Sequence, residues 1–265
     1  MRPPAAADLS ETTLRRGLGI LFALGSAEAR GNGGLGVVRI AELLGREKTQ
    51  VSRTLKTLVD CDVVERDART LLYRLSWQLF GLAGRAGDAR LLDAAAPVVD
   101  RLVARLGESA HLSVLRGVDV LTVLSRASAQ VVQATGWVGR SVPAYCSSSG
   151  RALLLDHPPE DLRLLFADVA FVPHAEHTPV DVEDLAGRVA AACGVGYAAV
   201  EDEFEHGLSA VAAPVRDGRG RIVAAVNVSA PTFRLHAVAH DVAREILAST
   251  GELSRALGAP EPAGS

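Results

Sequence analysis

The sequence predicts an α+β chain: an N-terminal winged helix-turn-helix, a helical linker and a C-terminal α+β domain. Three observations point there. Residues 13–60 hold three apolar-periodic helical stretches, with a glycine turn before the third. Residues 63–73 then read as strand, turn, strand. From residue 109 onward, strand-like alternation interleaves with helical stretches. The expected boundaries are 14–75 for the helix-turn-helix, 76–107 for the linker and 108–258 for the second domain. The Pro-, Ala- and Gly-rich ends, 1–13 and 259–265, are expected to be disordered because they have little apolar surface to bury.

In residues 13–24, Leu14, Leu18, Leu21 and Phe22 share one helical face, which is expected to point inward. The glycine-rich GSAEARGNGG should break this helix. Residues 38–44 form a second short helix with Ile40, Leu43 and Leu44 inward, and Gly45 suits a left-handed end. A third helix spans about 48–60 and buries Val51, Leu55, Leu58 and Val59. At about 100° per residue, Thr49, Gln50, Arg53, Lys56 and Thr57 project from its opposite side. Gln and Arg read base edges, while Thr and Lys hold phosphates. A plain amphipathic helix with a solvated face has the same pattern. The following hairpin, Val63-Val64, Asp67-Ala68-Arg69 and Leu71-Leu72-Tyr73, favours the DNA reading. It would serve as a wing, with Arg66 and Arg69 near the phosphate backbone.

Residues 75–107 read as mostly helical. One apolar cluster is expected from Trp77, Leu79, Phe80 and Leu82, and a stripe from Leu91, Ala95, Val98, Val99, Leu102 and Leu106. Pro97 should start or kink a helix. Such a spacer suits a dimer that sets the distance between two DNA half-sites. Beyond it, HLSVLRG and VDVLTVLSRA read as paired strands, and a further strand is expected over 131–138. Helices follow at SSGRALLLD, 159–167 and 181–193; LSAVAAPVRD and RIVAAVNVSA form a hairpin, and a last helix covers 238–257.

Net charge is −3, but its distribution is uneven. Residues 1–75 hold 12 Lys/Arg against 9 Asp/Glu, and the remainder 16 against 22. The positive side is where a nucleic-acid surface is expected. Cys61, Cys146 and Cys193 are an odd set without CxxC spacing, which argues for reduced, mostly buried thiols. Without a membrane-length apolar run or a signal-peptide pattern, a cytoplasmic protein is expected, with no membrane partner. His174-Ala175-Glu176-His177 between Pro173 and Pro179 reads as a surface loop without metal. Glu201, Asp202, Glu203 and Glu205 read as a charged loop with one structural glutamate, and Asp217-Gly218-Arg219-Gly220 as a turn. No phosphate loop, nucleophile elbow or ordered triad is present, so neither an enzyme nor a cofactor is expected.

Three stretches resemble the isocitrate lyase regulator (IclR) family of bacterial transcription factors. They are KTQVSRTLKTLVDCDVVERD, GRSVPAYCSSSGRALL and GYAAVEDEFEHGLSAVAAPVRDGRGRIVAAVNVSAP, within a likeness spanning about 14–257. The resemblance implies a GAF-like effector domain, homodimers or homotetramers on double-stranded DNA, and a small organic-acid effector. It places Ser148 and Ser149 in the loop that meets the effector's carboxylate, with Ser209, Asn227 and Ser229 on the neighbouring strands. Ala210, Asn227, Tyr145 and Val200 depart from residues frequent in the family, which bears on the ligand and not on the fold.

The residues themselves agree in kind. Ser147, Ser148 and Ser149 offer hydroxyls and amides before a helix, suited to an anion or to a simple N-cap. Arg151 is expected to point outward. Tyr145 and Trp137 would give a flat apolar chamber, or would be plain core residues. Asn227, Ser229 and Ser209 would supply a polar far end. The expectation is a regulator, more specifically a repressor of a catabolic operon with a palindromic operator, sensing a hydroxybenzoate-like aromatic carboxylate. The rivals are a regulator sensing a non-aromatic keto acid, a small-molecule hydrolase or deaminase with an appended helical domain, and a sensor signalling through protein contacts.

Overall fold

The computed structural model describes residues 12–83, 89–130 and 137–260. The chain divides into two compact units, 1–89 and 90–265.

The first unit opens with α1 (Thr13–Leu24), capped by the Thr12 hydroxyl, which accepts from the Arg15 amide at 3.3 Å. Its inward stripe is not the expected one. Gly17, Ile20 and Leu24 are buried, whereas Leu14, Leu18 and Phe22 are 73%, 45% and 47% exposed. The helix has two apolar stripes, and Gly17 lets it approach the third helix of the trihelical core, so the stripe containing Gly17 turns inward. The glycine-rich segment carries a turn of helix, α2 (Ala27–Gly31), started by the Ser26 hydroxyl. Next come α3 (Val37–Leu44) and α4 (Lys48–Asp60). Gly45 ends α3 at φ +61, as expected. Leu43 is exposed and Ala41 is buried in its stead. Ile20, Ile40, Val51 and Leu55 meet in one core.

β1 (Val64–Arg66) pairs antiparallel with β2 (Tyr73–Leu75). The second strand starts two residues later than expected. The Asp67 carboxylate accepts from the amides of Arg69 and Thr70, each at 2.8 Å, and Leu71 adopts φ +58, so the turn consumes Leu71 and Leu72. In α5 (Trp77–Ala83), Trp77 and Leu82 are exposed; the Phe80 side chain, a member of the expected cluster, lies outside the described residues.

The second unit begins with α6 (Ala89–Leu106), which carries Pro97 within it. A six-stranded antiparallel sheet follows, in the order β5-β4-β3-β8-β7-β6. The strands are β3 (Ser109–Arg116), β4 (Asp119–Arg126), β5 (Ser141–Pro143), β6 (Ala198–Glu201), β7 (Leu208–Arg216) and β8 (Ile222–Pro231). Of the strand expected over 131–138, residues 131–136 lie outside those described, and Trp137 and Val138 are not in a strand. Three helices join β5 to β6: α7 (Ser148–Leu153), α8 (Pro159–Leu165) and α9 (Val182–Val195). The chain closes with the short α10 (Thr232–Leu235) and with α11 (Ala239–Ala256).

Alternation along the strands sorts the sheet into two faces. Ala110, Leu112, Val211, Ala213, Val226 and Val228 pack with Leu91, Val98, Val99 and Leu102 of α6 and Val242, Ile246 and Leu253 of α11. On the other face, Val120, Ala212 and Ala225 join α7, Phe166 and Leu185 in a second core. Among the described residues, no helix is long and apolar enough to cross a membrane.

Candidate nucleic-acid interface and ligand cavity

The sequence places α4 to the residue, and its exposed side follows from its buried one. Val51, Thr54 and Leu55 fill the core, leaving Thr49, Gln50, Arg53, Lys56 and Thr57 exposed. Thr57 donates its hydroxyl to the Arg53 carbonyl at 3.3 Å. Neighbouring cations are committed elsewhere: Arg39 pairs with Glu28 and Glu42, and Arg74 with Glu65. Among the described residues, Arg53, Lys56 and Arg69 form no ion pair and remain open to phosphates or bases. On the wing, Arg66 lies over the Tyr73 ring at 5.4 Å, and Arg69 sits exposed in the turn.

The second unit holds a pocket on one face of its sheet, partly open to solvent. The sheet supplies its floor. β3 gives His111 and Ser113, β4 gives Val120 and Thr122, β8 gives Asn227 and Ser229, and β7 gives Leu208 and Ala210. Ser147, Ser148 and Ser149 close one side, and Trp137, Val142, Val200 and Phe204 the others. The serine loop is held close by Gly150. A Cβ there would lie 2.2 Å from the Ala144 carbonyl oxygen, so only glycine fits. The Ser147 hydroxyl accepts from the Gly150 amide at 3.1 Å, as a cap. The amides of Ser148 and Ser149 stand in the first helical turn, where the helix offers them no acceptor.

Two polar groups mark the floor. The Ser149 hydroxyl donates to Asn227 Oδ1 at 3.0 Å. His111 is bonded on both sides, Nδ1 to the Ser125 hydroxyl at 2.9 Å and Nε2 to the Ser229 hydroxyl at 3.2 Å. Burial pushes the His111 imidazole down to about 4, so it is neutral near pH 7. The Trp137 indole N–H is buried without an acceptor among the described residues, and its ring centroid lies 5.7 Å from that of His111 and 6.2 Å from that of Phe204.

Two expected members stand outside this cavity. Tyr145 is buried in the second core. Its hydroxyl donates to the Val172 carbonyl and accepts from the Val172 amide, both at 3.1 Å, and its ring packs on Phe171. Ser209 falls on the opposite face of β7 from Ala210 and bonds Thr232 at 2.9 Å. Arg151 does not point outward. It is buried, donating to Glu203 Oε2 at 2.5 Å and to the Ala199 carbonyl at 3.0 Å. Arg188 reaches the other oxygen of Glu203 at 3.1 Å, so Glu203 is the structural glutamate of its acidic loop. Sequence reasoning missed His111, Ser113 and Thr122. Their signal was polar residues at i and i+2 within apolar strands, which marks a polar inner face. His174 and His177 lie in the expected loop, and residues 217–220 in the expected turn. All three cysteines are free; Cys146 is buried, while Cys61 and Cys193 are exposed against expectation.

A helix-turn-helix with an open polar helix, on one chain with an α+β unit enclosing a cavity, defines a ligand-responsive transcription regulator. Residues 13–68 match the IclR helix-turn-helix domain, and residues 85–255 match the bacterial transcriptional regulator IclR C-terminal domain. The chain belongs to the IclR family of DNA-binding transcription regulators, which are not enzymes. It is 30% identical over 227 residues to the Pca regulon regulatory protein of Pseudomonas putida, covering 84% of this chain and 76% of that one. It is 26% identical over 251 residues to the regulator KdgR of Escherichia coli, covering 91% and 94%. Two solved structures share the fold. One is an IclR homolog from Microbacterium hydrocarbonoxydans complexed with 4-hydroxybenzoate (TM-score 0.78, 23% identity, 93% of this chain and 99% of that one). The other is the Thermotoga maritima IclR (TM-score 0.77, 22% identity, 93% and 98%).

Proposed function

We propose that this chain is a cytoplasmic repressor of a catabolic operon, bound to a palindromic operator as a dimer or tetramer and controlled by a small aromatic carboxylate. One observation carries the effector reading. The cavity joins aromatic and aliphatic walls, Trp137, Phe204, Val120 and Val142, to a small set of neutral polar groups. The carboxylate is assigned to the amides of Ser148 and Ser149 and to the Ser149–Asn227 pair. The ring lies against Trp137 and Phe204. A ring hydroxyl has Ser229, Ser113 and Thr122 within the same lining. The Microbacterium homolog of the same fold, complexed with 4-hydroxybenzoate, supports this reading. The repressors named among the relatives support the sign of regulation.

Calorimetry with benzoate, 4-hydroxybenzoate and pyruvate is the test. The aromatic acids bind, and Ser149→Leu abolishes their binding while leaving DNA binding of the free protein intact. Binding of pyruvate with neither aromatic acid overturns the reading.

A further inference from the structure

His111 is the one titratable side chain among the described residues that line the cavity, and none of them carries a formal charge. An anion entering such a chamber loses its hydration and meets only dipoles, so a counter-charge at close range has a large effect. We propose that His111 is a specificity residue that supplies this counter-charge, taking up one proton from solvent as a carboxylate enters, so that effector binding is coupled to proton uptake. This inference rests on the reading of the cavity as the effector site.

The hydrogen bonding around His111 is built to permit it. Both ring nitrogens face serine hydroxyls, Ser125 and Ser229, and a hydroxyl can donate or accept. When a proton adds to the bare nitrogen, the serine opposite rotates to accept, and no N–H is orphaned. What the free protein lacks is an anion beside the ring. His111 is the register partner of Asn227 across β3 and β8, and Asn227 holds Ser149. The Cβ atoms of His111 and Asn227 are therefore about one strand spacing, roughly 5 Å, apart, and a carboxylate on the Ser149–Asn227 pair neighbours the imidazole across that spacing.

Charges on the surrounding elements do not fill that role, since none of them lines the cavity. On β3 and β4 these are Arg116, Asp119 and Arg126, the last paired with Asp100. From α7 and the loop before β7, Arg151 and Glu203 are paired with each other, and Asp202 accepts from the Gly207 amide. Glu205 and His206 of that loop are exposed. Arg140 lies over the Trp137 ring at 4.7 Å, and Arg216 of β7 pairs with Asp156. β8 carries no titratable side chain.

The experiment is calorimetry of the full chain with benzoate and 4-hydroxybenzoate, in buffers of low and high ionisation enthalpy at pH 5.5 and 7.5. The expected result is about tenfold tighter binding at pH 5.5, with buffer-dependent heats reporting uptake of most of one proton at pH 5.5 and of little at pH 7.5. Imidazole nitrogen NMR of the wild type should show His111 protonated only with ligand bound. His111→Gln should bind more weakly, with no proton uptake. Binding that Ser149→Leu abolishes, but with equal affinity at both pH values and buffer-independent heats, overturns the proposal and leaves the effector reading intact. Uptake retained in His111→Gln puts the proton on the ligand's own carboxyl and also overturns it. Binding indifferent to both substitutions, or no binding of either acid, overturns the effector reading and this proposal together.

Discussion

At the scale of single residues, the buried Arg151–Glu203 pair ties α7 to the loop before β7. Arg151 belongs to the helix started by the cavity-lining serines. Glu203 precedes Phe204, which lines the cavity. Both side chains are about 95% buried, so removing one strands a charge away from water. Arg151→Met should therefore destabilise the protein by about 3 kcal/mol, the lower end for a broken buried pair because Arg188 still reaches Glu203. In thermal unfolding this corresponds to a Tm lower by roughly 6–12 °C. Glu203→Gln keeps an acceptor and the shape but leaves the buried Arg151 without a carboxylate, and should destabilise at least as much. A Tm within a degree of wild type for Arg151→Met would show that the pair has no structural weight.

At the scale of elements, α4 and the β1–β2 hairpin are predicted to divide the work of binding DNA. Gln50 and Arg53 lie on the exposed face of α4 and are predicted to read bases. Replacing each with Ala should cost about 1–3 kcal/mol against the operator and relax sequence preference, with the fold unchanged. Lys56 and Arg69 are predicted to touch phosphates. Their Ala variants should weaken binding to all sequences alike and lower the salt slope by about one each. Footprinting and salt titration separate the two pairs. Wild-type sequence preference in both Gln50→Ala and Arg53→Ala, or an unchanged slope in both phosphate variants, would remove those residues from the interface.

The whole molecule is predicted to be a symmetric oligomer. One winged helix offers few base contacts, and a palindromic site matches a two-fold dimer. α1 also presents Leu14, Leu18 and Phe22 to solvent at spacings of four, an apolar stripe that its own core does not use. A second copy would cover it. Leu18→Glu should shift light scattering toward the monomer and reduce operator affinity, since two half-sites would no longer be bound as one. A wild-type mass for this variant would place the dimer contact elsewhere, and a monomeric wild type at micromolar concentration, on and off DNA, would refute the oligomer itself.

The local pattern determined most of the architecture. The positions of α3 and α4, the glycine that ends α3, the β7–β8 hairpin and the exposed face of α4 all follow from periodicity and turn chemistry within a dozen residues. Tertiary structure decided what those rules leave degenerate. α1 has two apolar stripes, and only packing against α4 selects the one containing Gly17. Ser209 and Ala210 take opposite faces of their strand by local geometry, but which of the two faces the cavity is decided by what packs on each side of the sheet. Tyr145 could line a chamber or fill a core, and the backbone of Val172, distant in sequence, takes its hydroxyl. Arg151 stands at a helix start, where solvent is the usual partner, but Glu203 reaches it from 52 residues away. His111 enters the cavity only because β3 lies between β4 and β8, a neighbourhood that no local pattern encodes.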